Sequence, residues 1–334
     1  MLFMIHNDRM DLAIVIPAYK ILYLSEALDS LASQTNKNFK VYVGDDCSPD
    51  DIASVCKRYE KLISIDYHRF NTNLGKTNLV KQWERCVSRV GEEKWLWLFS
   101  DDDIAEPTCV EKFYEAINTT EEFYDVYRFN TCVIDKNNKF LSAAEESPTL
   151  ENAMDLAINI LLWKRGNSMP DHIFKKEKYI ELQGFIDFEY AQSSDWATSI
   201  NFAYDKGLFT ISGPKIKWRY SDDNVSAQAA KKNKRLIVGY IQFLKWITNR
   251  FDNESEIRFG RTLGELKDAA KTNFKLIVTE HYKGVAYGSI FKISKDLSKI
   301  FGQKMLKSIW MILSINLKRD RRKLKNAMFI KKVK

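Results

Sequence analysis

The sequence predicts an α/β fold, a mainly parallel central sheet with flanking helices, followed by a helical and basic C-terminal region. Three observations carry this. Short β-branched apolar runs alternate with segments of helical periodicity through the first two hundred residues, the rhythm of strands joined by crossover helices. Polar loops close those runs in turn, at Pro17-Ala18-Tyr19, Asp45-Asp46-Cys47-Ser48, Asn73-Leu74-Gly75 and Ser100-Asp101-Asp102-Asp103. Beyond the KKNKR run at 231–235, turn chemistry nearly vanishes and lysine and arginine accumulate. The resulting division is an α/β domain over 9–228 and a helical, basic region over 229–334.

Residues 12–19, LAIVIPAY, read as a fully buried parallel strand ending near Pro17. Apolar positions repeat at helical spacing over 24–33, with Ser25 as the N-cap. FKVYVGDD at 39–46 is a second strand, a helix covers 49–62 with Ser48 capping it, and ISIDYHRF at 63–70 is a third strand. Residues 71–75 form a loop, 76–90 a helix, and 94–99 a strand whose WLWLF run meets Ser100 and three aspartates. Strand-like runs at 124–135 and 209–220 bracket a helix over 150–163, opened by Pro148 and Thr149. In such sheets ligands bind beyond the carboxyl ends of the strands, where these polar loops converge. Three adjacent aspartates repel one another unless water, a cation or a helix N-terminus relieves them. The cluster is therefore either a solvated turn or a divalent-metal site.

Composition narrows the class. With 334 residues and 45% apolar content, the chain can bury a sizeable core and is not disordered. Its five cysteines all lie within the first 132 residues and form no C-x-x-C pair, the signature of reduced cytosolic thiols and not of a disulfide framework or structural zinc. The start MLFMIHNDRMD does not read as a signal peptide, and no apolar run approaches the ~18 residues of a spanning helix. From Lys304 onward eleven lysines and arginines stand against the single acid Asp320, more than the whole chain's formal +8. Leu297, Phe301, Met305, Ile309 and Ile312 recur at helical spacing beside Trp310, and LKRDRRKLK follows. This predicts an interfacial helix on an anionic membrane through 297–334, each basic residue contributing about 1 kcal/mol. The other reading is a helix docked on the protein's own core with a solvated charge run. No nucleic-acid module accompanies the basic residues, so nucleic acid is not an expected partner.

The order IVIPAY, GDDCSPD, N-x-G, an acid cluster closing an apolar strand before Pro107, then GFIDFEYAQSSDW and WRYSDDNVS resembles the family 2 glycosyltransferases of the GT-A fold, over roughly residues 11–228. The resemblance implies a metal-dependent, inverting, hexosyltransferase-type enzyme. It would move a sugar from a nucleotide-diphosphate sugar to a glycan or lipid-linked acceptor in surface-polysaccharide synthesis, peripherally on the cytoplasmic face of the membrane. It implies Mn²⁺ or Mg²⁺, because a hard divalent cation bridging a diphosphate neutralises the departing charge. The family's L-D-x-D-D is here F-S-D-D-D, which makes Asp102 the metal ligand and leaves Asp101 to cover at the ribose for the acid that Ser100 replaces. Asp103 is a second metal ligand or a helix cap.

Carried over position by position, Pro17 and Tyr19 fall at the nucleobase, with Tyr19 stacking on it. Asp45 and Asp46 fall at the base's ring N–H, with Cys47 where glycine is usual. Asn73 and Gly75 match N-x-G, and Lys76 or Lys81 supplies the charge of an arginine that is missing after it. Asp195, at a helix start after Gly184-Phe185-Ile186-Asp187, matches the base that deprotonates the acceptor hydroxyl, with Ser194 replacing a common acid. Trp196 packs under the sugar or fills core. Arg219 contacts diphosphate or is structural, Ser221 stands where histidine is frequent, and His172 is an acceptor-side or a structural residue. Two other functions share these features: a nucleotidyltransferase, and a catalytically silent nucleotide-sugar-binding scaffold at the membrane.

Overall fold

Strand β1 (Leu12–Ala18) is buried almost throughout, which is why its sequence is a continuous apolar run and not an alternation. It pairs in parallel with β2 (Phe39–Asp45) on one side and β4 (Trp95–Leu98) on the other, and β3 (Ser64–Arg69) extends the sheet beyond β2. The chain thus winds outward from β1 to β3 and returns to β1's other flank. That reversal makes the β1/β4 boundary a topological switch point, where an open α/β sheet leaves a crevice beyond its carboxyl ends. The computed structural model describes residues 10–221, 233–251, 255–280 and 284–333.

Past β4 the sheet continues through β9 (His172–Lys175), β6 (Val126–Ile134), β10 (Leu208–Arg219) and β5 (Ile104–Ala105), with β7 (Phe140–Ala143) beside β6 and β8 (Leu150–Glu151) beside β10. β9 is antiparallel to both β4 and β6, while β6 and β10 run parallel. The helices are α1 (Leu24–Ala32), α2 (Ile52–Lys57), α3 (Leu79–Val87), α4 (Cys109–Thr119), α5 (Ala153–Leu161), α6 (Lys176–Glu181) and α7 (Ser194–Phe202). The core is aromatic. Trp95 meets Phe113 and Tyr127 edge-on at ring separations of 5.5 and 5.4 Å, and Trp97 meets Phe99 at 5.3 Å. The Trp97 indole also donates to the Pro170 carbonyl at 2.6 Å, fixing the turn that leads into β9.

Several local expectations shift. Ser25 does not cap α1; its hydroxyl accepts from Arg58 instead. Asp51 and Asn78 cap α2 and α3 by accepting from Ser54 N and Lys81 N at 3.0 and 2.8 Å, so both helices start later than their apolar periodicity suggests. Leu150–Glu151 pairs with β10, which delays α5 to Ala153. β9, four residues of HIFK, is too short to stand out in the sequence. All five cysteines are unpaired, and Cys47 takes a left-handed φ of 56° where glycine would be at ease.

The chain forms two units. The first comprises Met1–Leu156, Lys164–Asp187 and Ser194–Ser221; the second comprises Ala157–Trp163, Phe188–Ser193 and Asp222–Lys334. The second therefore draws on two segments within the range expected for the first domain. Residues 231 and 232 of the basic boundary run, and the Asp222–Ser226 part of WRYSDDNVS, lie outside the described residues.

In the second unit run α8 (Asn233–Arg250), α9 (Ser255–Phe259), α10 (Leu263–Glu280), α11 (Ile290–Ile300) and α12 (Met305–Val333). Tyr240, Phe243, Leu244, Phe274, Leu297 and Ile312 are fully buried among them. The apolar stripe expected to face a membrane is interrupted: α11 ends before Phe301, Gly302 adopts φ 58°, and α12 begins at Met305. Leu297 and Ile312 at its two ends lie in the unit's own core, so that stripe is a docking stripe. Among the described residues no helix is long and apolar enough to cross a membrane.

Replacing Trp97 by Ala removes a fully buried ring and the bond to Pro170. The expected loss is roughly 3–5 kcal/mol, read as a lower urea midpoint; an unchanged midpoint contradicts this packing.

Candidate active site

Each strand on the parallel side of the sheet ends in a loop that a carboxylate ties to the next. Asp45, fully buried, accepts from Ser48 N at 2.7 Å through Oδ1 and from Tyr67 Oη and Arg69 at 2.7 and 2.8 Å through Oδ2. Asp46 accepts from Leu74 N and Gly75 N at 2.7 and 2.8 Å and pairs with Arg85. Gly75 is required by this approach, because a β-carbon there would lie 2.7 Å from Asp46 Oδ2. Arg85 also donates to the Thr72 carbonyl and lies 3.9 Å over the Phe70 ring. Ser48, instead of capping α2, donates to the Tyr19 carbonyl at 2.6 Å. Asn73 Oδ1 accepts from Lys76 N at 2.9 Å and so shapes its loop, leaving the Lys76 side chain exposed.

The three aspartates after β4 divide their work. Asp101 Oδ2 accepts from Tyr19 N and Lys20 N at 3.0 and 3.1 Å, locking the β1 and β4 loops together across the switch point. The Tyr19 ring remains 40% exposed there, and Pro17 is half-buried within β1. Asp103, 1% exposed, accepts from Arg219 N at 2.8 Å and so binds the end of β10. Asp102 is half-buried: its Oδ1 accepts from Ser100 Oγ at 2.5 Å, and its Oδ2 meets no hydrogen-bond donor among the described residues. Burial, and then the Asp102 charge, push the Asp101 carboxyl up to about 6 and Asp103 well above the ordinary carboxylate range.

Two expectations are corrected here. Arg219 is not available to a diphosphate: it is fully buried, donating to Asp102 O at 2.8 Å, Asn138 Oδ1 at 2.6 Å and Glu26 Oε2 at 2.8 Å, over the Tyr23 ring at 4.1 Å. Asp103 is neither a helix cap nor an open metal ligand, because its carboxylate is buried against the Arg219 backbone.

Asp195 stands in the first turn of α7, half-buried. Burial above all, with a contribution from the Asp171 carboxylate, raises its carboxyl to about 7. The same Asp171 charge acts on Asp103, so Asp171 links the acid cluster after β4 to Asp195 electrostatically. Asp171 Oδ1 accepts from Ser168 N and Oγ at 2.7 and 2.6 Å, and the neighbouring His172 places Nδ1 2.8 Å from the Ser168 carbonyl. His172 is fully buried and stacks on Phe174. Its Nε2 and Asp171 Oδ2 are buried without hydrogen-bond partners among the described residues. Trp196 is half-buried beside Asp195, and Asp187 accepts from Asn78 at 2.8 Å, joining the segment before α7 to α3.

Sequence reasoning missed Arg85, Arg69 and Asp171. Arg85 brings a cation to the N-x-G loop from the far end of α3, through Asp46 and the Thr72 carbonyl; helical spacing from Lys81 was its one signal. Lys81 instead pairs with Glu84 at 2.9 Å. Among the described residues no group of three or more His, Cys, Asp and Glu is arranged to hold a metal. A cation that also binds substrate phosphates needs only one or two carboxylates, and the open oxygen of Asp102 meets that requirement.

The family described as Glycosyl transferase family 2 matches residues 13–176. An uncharacterised glycosyltransferase of Haemophilus influenzae is 25% identical over 52% of this chain and 55% of its own length, so the match spans about half of that relative. The GalNAc(5)-diNAcBac-PP-undecaprenol beta-1,3-glucosyltransferase of Campylobacter jejuni is 21% identical over 87% of this chain and 85% of that protein. In fold, the chain is similar to S. aureus TarS 1-349 in complex with UDP-GlcNAc (TM-score 0.66, 14% identity, 95% of this chain and 92% of that one). It is likewise similar to the same protein in complex with UDP (TM-score 0.55, 18% identity, 93% and 91%). The order of motifs, the family match and the shared fold come together on one conclusion: residues 13–176 form a domain of the family 2 glycosyltransferases, with the GT-A fold.

Proposed function

We propose that this glycosyltransferase moves a hexose from a nucleotide-diphosphate sugar to a glycan or lipid-linked acceptor with inversion of the anomeric centre. The observation that carries the reading is the contrast between two acids: Asp102, with an oxygen that meets no donor among the described residues, and Asp195, with its carboxyl raised to about 7. Inverting transfer needs a base on the acceptor hydroxyl as it attacks the anomeric carbon opposite the leaving diphosphate. A carboxyl near the working pH suits that proton transfer. Asp195 takes the hydroxyl proton as the new C–O bond forms. Tyr19, exposed at the switch point, offers its ring to the nucleobase. Asp101 and Asp46 hold the loops around it by their backbone bonds, and Asn73, Gly75 and Lys76 form the neighbouring rim.

Asp102 would hold Mg²⁺ or Mn²⁺, which supplies charge neutralisation to the departing nucleotide diphosphate. Ser100, in the place of the family's first acid, donates to Asp102 and fixes its orientation. The Campylobacter relative, whose name specifies an undecaprenol-diphosphate-linked acceptor, supports a lipid-linked acceptor for surface polysaccharide here. The basic tail supports peripheral attachment to the cytoplasmic face of the membrane.

Asp195→Ala is expected to lower transfer by roughly 10²–10⁴-fold while leaving metal-dependent nucleotide-diphosphate binding, followed by thermal shift, in place. In the wild type kcat/KM should rise with pH through about 7, because only ionised Asp195 accepts a proton. Transfer near the wild-type rate in the Ala variant would rule Asp195 out as base.

The same group governs stability. A carboxyl at about 7 in the folded chain, against ~3.9 when unfolded, keeps a proton that the unfolded chain has lost. Stability from this group therefore falls as pH rises from about 4 to about 7. Asp195→Asn should gain roughly 1–3 kcal/mol over wild type at pH ~8 and little at pH ~4, measured by denaturant titration. A gap independent of pH contradicts the raised carboxyl.

A further inference from the structure

α12 presents a second apolar face, opposite to the one that docks on its own unit. Its inward side is formed by Ser308, Met311, Ile312, Ile315 and Asn316, all buried, with Asn316 exchanging two hydrogen bonds with the Val285 backbone at 2.8 and 2.9 Å. Its outward side carries Leu306 at 71% exposure, Trp310 at 68% and Leu317 at 51%, with half-buried Leu313 between them. These four fall at i, i+4, i+7 and i+11, so they align along one stripe of the helix. Lys307, Lys318 and Arg321, all exposed, follow at i, i+11 and i+14 along one flank of that stripe. An exposed, aligned leucine and tryptophan surface of this kind marks a binding face.

We infer that this stripe is the surface by which the chain lies on an anionic lipid bilayer, with Leu306, Leu313 and Leu317 toward the acyl region, Trp310 at the headgroup level and the lysine flank on lipid phosphates. This rests on the membrane attachment proposed above and gives it a face, one different from the Leu297-to-Ile312 stripe, whose two ends lie in the unit's own core. Lipid is the occupant that both halves of the surface fit. Leucine and tryptophan partition into the interface while long basic side chains reach the headgroups. A nucleic acid would match the lysines and leave three exposed leucine and tryptophan side chains without a partner. A second copy of this chain would set its own lysine flank against an equal charge.

The test uses the full chain, sedimented with vesicles of phosphatidylcholine containing roughly one-third phosphatidylglycerol, and with phosphatidylcholine alone. The wild type should bind the anionic vesicles and lose that binding in high salt. The double variant Trp310→Glu/Leu317→Glu, changed only at exposed positions, should bind at least about 10-fold more weakly. Ile257→Glu, an equally apolar and 91% exposed site on α9, should bind like wild type. Far-ultraviolet circular dichroism verifies that the variants are folded. If the wild type ignores anionic vesicles, the membrane attachment itself falls and this inference with it. If the wild type binds and the double variant binds equally well, attachment stands and this face is wrong. Retention of a homopolymeric RNA, or a concentration-dependent dimer, lost in the double variant would reassign the face and overturn the inference.

Discussion

The site depends on buried carboxylates that accept backbone N–H groups from neighbouring loops. Asp46 takes those of Leu74 and Gly75, Asp101 those of Tyr19 and Lys20, and Asp103 that of Arg219. A carboxylate taken from water with no donors is costly, and backbone N–H bonds are what keep its charge tolerable. Each such bond also sets the distance between two strand ends that are remote in sequence. The crevice at the β1/β4 switch point is shaped by these braces, and its open chemistry is what they leave over. Of the three consecutive aspartates, two are committed to the frame, and Asp102 keeps an oxygen that meets no donor among the described residues.

That division explains the electrostatics. Asp101, Asp102 and Asp103 crowd one corner, Asp171 reaches both this corner and Asp195, and burial removes the water that would screen them. The raised carboxyls are the cost of that crowding. Clusters of this kind concentrate at functional sites because a cation or a transferred proton relieves them. Arg219 serves this corner from within: its guanidinium pairs with Glu26 and donates to the Asp102 carbonyl, and its backbone N–H donates to Asp103.

Much of this was legible in the sequence. The alternation of apolar runs and helical patterns gives the parallel strands from β1 to β4, and the polar loops that close them do meet at one edge. Asp195, at a helix start, was visible as a candidate base, although nothing local reveals a carboxyl near 7, which comes from burial and from Asp171. The braces were not legible, because an aspartate at a strand end reads alike whether it meets a cation or a backbone N–H. The donor that decides the matter for Asp103 belongs to Arg219, 116 residues away. Arg85 escaped notice for the same reason: it meets Asp46 from the last turn of α3. In the tail, apolar periodicity ran on through Phe301 and Gly302, where the helix in fact breaks, so the stripe it traced was the inward one.

The most direct measurement is a crystal structure with a nucleoside diphosphate and Mn²⁺, with the metal located by anomalous scattering. A peak is expected beside the Asp102 carboxylate, with Asp101 still bonded to Tyr19 N and Lys20 N and Asp103 to Arg219 N. A metal seated on Asp101 or Asp103, with those backbone bonds broken, would contradict it.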